Sequence, residues 1–438
     1  MNPLKVTVIG GGSTYTPELI EGLIQGQLPV REIALMDIDA RKLGIVGGLA
    51  KRMTDATQSS TAITLTMDRA AALDGADVVI SQIRVGGLAA RILDERIPLS
   101  HDLVGQETTG PGGFLKALRT IPVILDINRE MAERCPDAWL VNFTNPSGLI
   151  AEALRVHGRG RFVGLCNYPL TLKMNIAKAF GVDEAHVDLA YFGLNHLSWT
   201  RVLIDGEDRT DELIEIIVHH PDFRAISGYA FAPERLRSLG LIPSGYLRYY
   251  YDTDKMVHEL QQAPQTRGER VRDVEAKLLE QYADVNLREK PAGLQERGGA
   301  WYSTAAVRLI HDLWSETGGR HILNVPNAGA MSVLPPNVVV EVPTTVASHR
   351  IVSQAVVSGE PPTVVGYRIP DDVIHLIKRV KAYELLTVDA AVSGSRQKAV
   401  EALEAHPLLD GRHDIIPQLL DELLTAHQNY LPQFMSPE

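Results

Sequence analysis

The ten residues KVTVIGGGST, Lys5–Thr14, run a short apolar strand directly into three glycines and a hydroxyl pair. Val6, Val8 and Ile9 suit a buried parallel strand, while Gly10 and Gly12 permit a tight turn and let the backbone approach a pyrophosphate. Gly10, Gly11, Gly12, Ser13 and Thr14 are therefore the residues expected to meet a dinucleotide. The helix that follows has Pro17 in its first turn and Leu19, Ile20, Leu23 and Ile24 on one face. Its N-terminal amides and positive dipole end would point at the phosphate. Tyr15 stands where a third glycine is usual. The stretch EIALMDID then supplies Asp37 at the end of a second apolar strand, in the place of the acid expected about 20 residues on. A carboxylate there accepts from a ribose 2′-hydroxyl and repels a 2′-phosphate, which favours NAD over NADP, with Arg41 nearby as the one contrary charge.

Beyond this unit, the apolar runs TAITLTM, ADVVISQI, AWLVNF and RFVGLC alternate with helical patterns around residues 41–54, 115–133, 147–157 and 170–180. That alternation predicts an α/β fold, an N-terminal Rossmann-like doubly wound parallel sheet over residues 1–182. A mixed α+β domain for substrate, metal and oligomer contacts is expected over 183–438. In it, HVDLAYFGLNHLSWTRVLIDG predicts a hairpin added antiparallel to the first sheet. The stretches DELIEIIV, VRDVEAKLLEQY and IIPQLLDELLTAH predict helices packed as one layer, and residues 337–370 read as strands or extended loop.

At 438 residues, 45% apolar and 22% charged, the chain can bury a large core. A formal net charge of −11 argues against general binding to nucleic acid or an anionic membrane. No apolar run approaches the ~18 residues needed to span a bilayer. Two cysteines, Cys135 and Cys166, and no export signal make the cytoplasm the expected compartment.

In doubly wound sheets ligands sit at the carboxyl ends of the strands. Here those ends carry Gln82 and Arg84, Asn142 and Asn145, and Cys166 and Asn167. Taken singly, Cys166 reads as a small buried hydrophobe and His196 as a core histidine. Each, however, ends an apolar strand beside an asparagine, Asn167 or Asn195, that an apolar core would not want. A Cys/His pair cannot close a structural zinc site, which takes four ligands, so a metal here would be an open catalytic ion completed by substrate and water. The run IPSGYLRYYY holds Tyr246, Tyr249, Tyr250 and Tyr251, of which at least two must serve packing; one beside a cation could act as a base. Arg84, Arg91, Arg96 and Arg297 are candidate clamps for an anionic substrate. GQETTGPGGF, residues 105–114, reads as a shaped loop around Glu107 over a ligand.

Taken together, VIGGGSTYTPELI at 8–20, IRVGG and DERIPL within 83–99, VGQETTGPGGF at 104–114, NFTNPSG at 142–148, GLCNYP at 164–169, GLNH at 193–196 and IPSGYLRYYY at 242–251 resemble glycoside hydrolase family 4. That family stands outside the two-carboxylate scheme of glycoside hydrolysis. Within it, Cys166-Asn167-Tyr168-Pro169 resembles the 6-phospho-β-glucosidases, with Tyr168 in place of a small aliphatic residue. The resemblance implies NAD as cofactor, a divalent ion, usually manganese, on Cys166 and His196, and Tyr246 as base. It implies transient oxidation at C3 of the sugar, loss of the C2 proton to Tyr246, elimination at C1, addition of water and return of the hydride. Asn145, Asn167 and Arg91 are then expected on substrate hydroxyls or phosphate, with Asn167 also among the catalytic groups. Arg297 is expected on the phosphate, and Gln82 and Asn142 on the cofactor side. The expected partner is a phosphorylated disaccharide or β-glucoside, and the expected assembly a homodimer or homotetramer.

Three other readings compete. A net 2-hydroxy acid dehydrogenase would share the opening unit, but the Asp-x-x-x-His-G surroundings of its usual relay are missing. A NAD-binding regulatory protein would need the metal pair or the tyrosine to be lost. An α-linked, unphosphorylated or uronic-acid glycoside would keep the same family and change only the substrate.

Overall fold

A computed structural model of the chain describes residues 3–26, 28–297 and 301–435. Six strands follow one another in the first half: β1 (Leu4–Ile9), β2 (Val30–Met36), β3 (Ala62–Thr66), β4 (Val78–Ser81), β5 (Trp139–Asn142) and β6 (Arg161–Gly164). All pair parallel, in the spatial order 3-2-1-4-5-6. Every residue of β1, β4 and β5 is buried, as expected of strands covered by helices on both faces. The intervening helices are α1 (Thr16–Gln25), α2 (Ala40–Ala56), α3 (Arg69–Leu73), α4 (Gly87–Ser100), α5 (Gly110–Arg134), α6 (Ser147–His157) and α7 (Tyr168–Phe180). The doubly wound sheet is therefore the one the alternating pattern predicts.

The hairpin lies elsewhere than expected. β7 (Val187–Leu194) and β8 (Leu197–Ile204) do not extend the large sheet; they form a separate one with β9 (Glu207–Asp208) and β10 (Ile242–Pro243). The strands that prolong the large sheet come later: β11 (Gly319–Pro326), β12 (Val339–Ala347) and β13 (Arg350–Ser353), antiparallel, with β11 against β6. The reason is that β7 and β8 are buried along nearly their whole length. They pack between layers, β7 touching β12, rather than standing at a half-solvated edge.

The three later helices also fail to make one layer. Helix Arg267–Tyr282 packs on α2 and α4, helix Ile416–Ala426 on α4, and helix Thr210–His219 on α7 and β8. Each finds its apolar partner on an earlier element. Three of the four glycines of GQETTGPGGF are not loop: Gly110, Gly112 and Gly113 open α5 and are buried, while Gly105 stays in the irregular stretch that carries Glu107. A Cβ on Gly112 would lie 2.3 Å from the Asp94 carbonyl oxygen and 2.5 Å from that of Gln106. Glycine here lets the helix start against the strand-end layer, which fixes the two residues before it that matter most, Glu107 and Thr108.

Near this layer His406 is buried at 1% exposure, its Nδ1 accepting the Leu408 amide at 3.1 Å. Burial lowers its pKa to about 3. The unfolded chain, near the ordinary value of about 6.5, therefore binds the extra proton first as pH falls. Stability is full above pH 6.5 and lost progressively toward pH 3. His406→Asn keeps an acceptor for Leu408 and removes the titration. Its unfolding free energy, followed by denaturant melts between pH 6 and 4, should change with pH less steeply by about 1.4 kcal/mol per unit. Equal slopes in the two proteins would show that His406 is not held neutral.

Candidate active site

The glycine turn sits at the carboxyl end of β1, with the Gly10 and Gly11 amides donating to Met36 at 2.9 and 2.8 Å. The Gly12 amide donates to Asp37 Oδ2 at 2.8 Å, and a Cβ on Gly12 would stand 2.9 Å from that same oxygen. Asp37 thus closes the turn it was expected to accompany, while remaining half-buried at its edge. This bare backbone cradle before α1 fits a dinucleotide pyrophosphate. Gln82 supports it from β4: its Nε2 donates to the Gly10 carbonyl at 3.1 Å and to Thr16 at 2.8 Å, and its Oε1 accepts from Tyr302 at 2.8 Å. Asn142 is fully buried, bonded to Ser81 and Thr144, so it shapes the neighbouring strand end from within. Tyr15, in the third glycine position, stacks on Tyr302 and lies under the Arg297 guanidinium, 4.1 Å from ring centre to carbon.

Cys166 follows β6 and His196 occupies the two-residue turn between β7 and β8, where Leu194 pairs with Leu197. His196 has φ +63°, a left-handed conformation uncommon for a residue with a side chain and held by the strands on both sides. Residues thirty apart in sequence are thereby brought together, Cys166 Sγ lying 3.8 Å from His196 Nε2. Thr108 takes the other ring nitrogen, Nδ1, at 2.8 Å. Burial pushes the Cys166 thiol up to about 12, helped by Glu341, and pushes His196 down to about 3. The site by itself thus holds a neutral thiol and a neutral imidazole whose Nε2 faces the sulfur. No third His, Cys, Asp or Glu completes a cluster among the described residues. One nitrogen and one sulfur donor with open positions fit a divalent ion completed by substrate and water.

Tyr246 stacks face to face on His196, with ring centres 3.7 Å apart and planes 5° from parallel. Burial, then Cys166, holds its phenol far above the usual range. The other tyrosines of the run make different contacts: Tyr250 stacks on His406 and borders a small cavity shared with His196 and Thr108, and the Tyr251 hydroxyl accepts from the Trp199 indole at 2.9 Å. Tyr168 stands edge-on to Tyr246 at 6.0 Å, its hydroxyl donating to the Ser227 carbonyl and accepting the Gly245 amide. Asn167, Tyr168 and Tyr246 line a cleft of ≈ 1060 Å³ bounded by α1 and helix Tyr302–Trp314. Asn145 lies in the turn just past β5 and accepts the Ser147 amide at 3.4 Å.

The cations gather around Glu107. Arg84 and Lys116 reach one of its oxygens, Lys116 at 2.6 Å, and Arg91 reaches the other at 2.9 Å. Against the burial that would raise it, they hold Glu107 well below the usual carboxylate range. Burial in turn lowers Lys116 to about 7. Arg91 is also tied to Glu95 at 2.8 Å, and Arg96 pairs with Glu269 outside the cluster. Arg297 lies 3.6 Å from Glu275. Arg267, which drew no notice in the sequence, bonds the Arg297 carbonyl at 2.8 Å and makes no ion pair among the described residues. Lys116 and Arg267 carry no motif of their own, and Thr108, although inside the GQETTGPGGF segment, is not singled out there.

Residues 5–182 match the model of the family 4 glycosyl hydrolases, and residues 191–409 match that of the family 4 glycosyl hydrolase C-terminal domain. The chain belongs to glycosyl hydrolase family 4. It is 44% identical to a probable 6-phospho-beta-glucosidase of Bacillus subtilis over 99% of this chain and 98% of that one. It is 39% identical to a 6-phospho-beta-glucosidase of Escherichia coli, over 98% and 97%. The 6-phospho-beta glucosidase of Thermotoga maritima, solved with manganese, NAD+ and glucose-6-phosphate, superposes with a TM-score of 0.87 at 36% identity, covering 98% of this chain and 99% of that one.

Proposed function

We propose that the chain hydrolyses 6-phospho-β-glucosides, such as cellobiose 6-phosphate, with NAD+ and a divalent cation such as Mn2+ as cofactors. The observation that carries this reading is the convergence of Cys166, His196 and Tyr246 beside the Cys-Asn-Tyr-Pro turn, at the carboxyl edge of a dinucleotide-type sheet. The similarity to three 6-phospho-β-glucosidases supports the substrate class. When bound, the cation supplies Lewis-acid polarisation of the sugar's C2 and C3 oxygens, and NAD+ supplies a reversible hydride acceptor for C3.

The protein's own groups do the rest. Tyr246 takes the proton from C2; its phenol is protonated in the free site, so it ionises only when positive charge arrives beside His196. His196 orients that ring by stacking, and Thr108 fixes the imidazole so that Nε2 stays a lone-pair donor. Asn145 and Asn167 bond sugar hydroxyls. Arg91, braced by Glu95 and Glu107, faces the substrate, and Arg297 with Arg267 receives the phosphate. Gln82 and Asn142 keep the cofactor turn in shape. Residues 1–182 form the NAD unit and residues 183–438 the substrate and assembly unit, though β11 to β13 return to the first sheet. A homodimer or homotetramer is the expected assembly, checked by light scattering. A thiol ligand requires a reducing compartment, in keeping with the cytoplasm.

The test is turnover of 4-nitrophenyl 6-phospho-β-glucoside with NAD+, Mn2+ and a thiol reductant in D2O, with the sugar product examined by NMR. Deuterium at C2 without accumulated NADH is expected. Nitrophenol release with no C2 label would mean a C2 proton shielded from solvent or ordinary hydrolysis, and no release would move the substrate to α-linked, unphosphorylated or uronic glycosides.

A further inference from the structure

Glu341 lies in the first half of β12, in VVVEVP, and is 1% exposed. Its carboxylate makes no ion pair among the described residues and is held only by neutral donors. Oε1 accepts from the Asn195 and Asn324 side-chain amides at 2.9 and 3.1 Å. Oε2 accepts from the Tyr191 hydroxyl at 2.9 Å, which itself accepts from Ser198 at 2.6 Å. Three of these four partners, Tyr191, Asn195 and Ser198, belong to the β7–β8 hairpin whose tip is His196. Asn195 immediately precedes His196, whose Nε2 lies 3.8 Å from Cys166 Sγ.

A glutamine would tie β12 to this hairpin as well as a glutamate. It would do so without the several kcal/mol that a buried, unpaired charge costs. Burial raises Glu341 to about 7, which registers that cost. Buried carboxylates are otherwise found paired with cations or beside metal ions. The remaining charges nearby complete the argument: a divalent ion on a thiolate and a neutral imidazole leaves one positive charge without a partner, and the missing anion stands one asparagine away.

We infer that Glu341 is a positioning residue for the divalent cation: through Asn195 it orients the His196 turn, and its negative charge offsets the cation's second positive charge. The inference rests on the reading of Cys166 and His196 as metal ligands. It makes the metal site a three-layer assembly, ligand, amide and carboxylate, spanning the small sheet and the large one.

The test is Mn2+ titration followed by electron paramagnetic resonance on the full chain with NAD+ present, comparing the wild type, Glu341→Gln and His196→Ala. Glu341→Gln should weaken Mn2+ binding by about 10–100-fold. Its thermal midpoint without metal should hold or rise, because the amide leaves no charge buried, and its NAD+ affinity should be unchanged. A merely structural glutamate would move stability and metal affinity in the same direction. Mn2+ affinity within about two-fold of wild type would overturn the inference while leaving the ligand reading intact, provided His196→Ala still abolishes binding. A wild type that binds no Mn2+, or a His196→Ala chain that binds it normally, would overturn both. Should Glu341→Gln fail to fold, Asn195→Ala decides by the same two thresholds, since it cuts the link and keeps the carboxylate.

Discussion

Tyr246→Phe should lower kcat by about 10²–10⁴-fold and abolish deuterium incorporation at C2, while Mn2+ binding stays at its wild-type value. The reasoning starts from the ring. Phenylalanine keeps the face that stacks on His196 at 3.7 Å and the edge contact with Tyr168, so the proposed metal ligands lose no support. What disappears is one oxygen, the group proposed to accept the C2 proton. Tyr250→Phe is the matched control, because Tyr250 stacks on His406, 6.1 Å away, and its loss should touch packing more than rate. Tyr249 and Tyr251 have hydroxyl partners of their own, Arg248 and Trp199. C2 exchange that survives in Tyr246→Phe, with exchange lost in Tyr250→Phe, would hand the role to the neighbour.

Much of this architecture is readable from local pattern. The strand, glycine turn, helix and acid of residues 5–37 are close in sequence, and period and punctuation suffice to place them at the carboxyl edge of a sheet. Cys166 and His196 each stand out by the same logic, as polar residues ending apolar strands. Their partners do not, because contact there depends on long-range pairing. The β7–β8 run is long, β-rich and buried on both faces, a pattern satisfied equally by an extension of the large sheet or by burial beneath a second layer; only packing against β12 decides. The glycines that open α5 look like loop because glycine is common in loops, yet Gly112 among them serves the close approach of a helix start to the Asp94 and Gln106 carbonyls. Glu341 offers one local signal: a single acid set among valines in a strand whose two faces are both buried has no solvent to face. Nothing in its surroundings in sequence points to Asn195, 146 residues earlier.

Cys166→Ser carries the other large expected effect, loss of Mn2+ binding and a fall in turnover of about 10³-fold, the several kcal/mol that Lewis-acid stabilisation is worth. Serine is nearly isosteric, so the fold around the site should survive, and melting without metal should differ little from wild type. The loss follows from ionisation. The thiol already stands at about 12, raised by burial and by Glu341, so the free site is uncharged, and binding a cation must expel the sulfur's proton. His196 contributes no second proton, since burial keeps its ring neutral down to about pH 3. Above pH 7, where Glu341 is already ionised, Mn2+ affinity of the wild type should therefore rise about tenfold per pH unit, the signature of one proton released. Calorimetry in two buffers of different ionisation enthalpy reads that proton directly. A serine hydroxyl starts from a far higher pKa than the thiol and cannot be ionised by the same cation at the same pH, so the variant should show neither binding nor proton release. If Cys166→Ser binds Mn2+ as wild type does, the sulfur is not a ligand, and the role of the His196 turn would have to be sought in positioning Tyr246 alone.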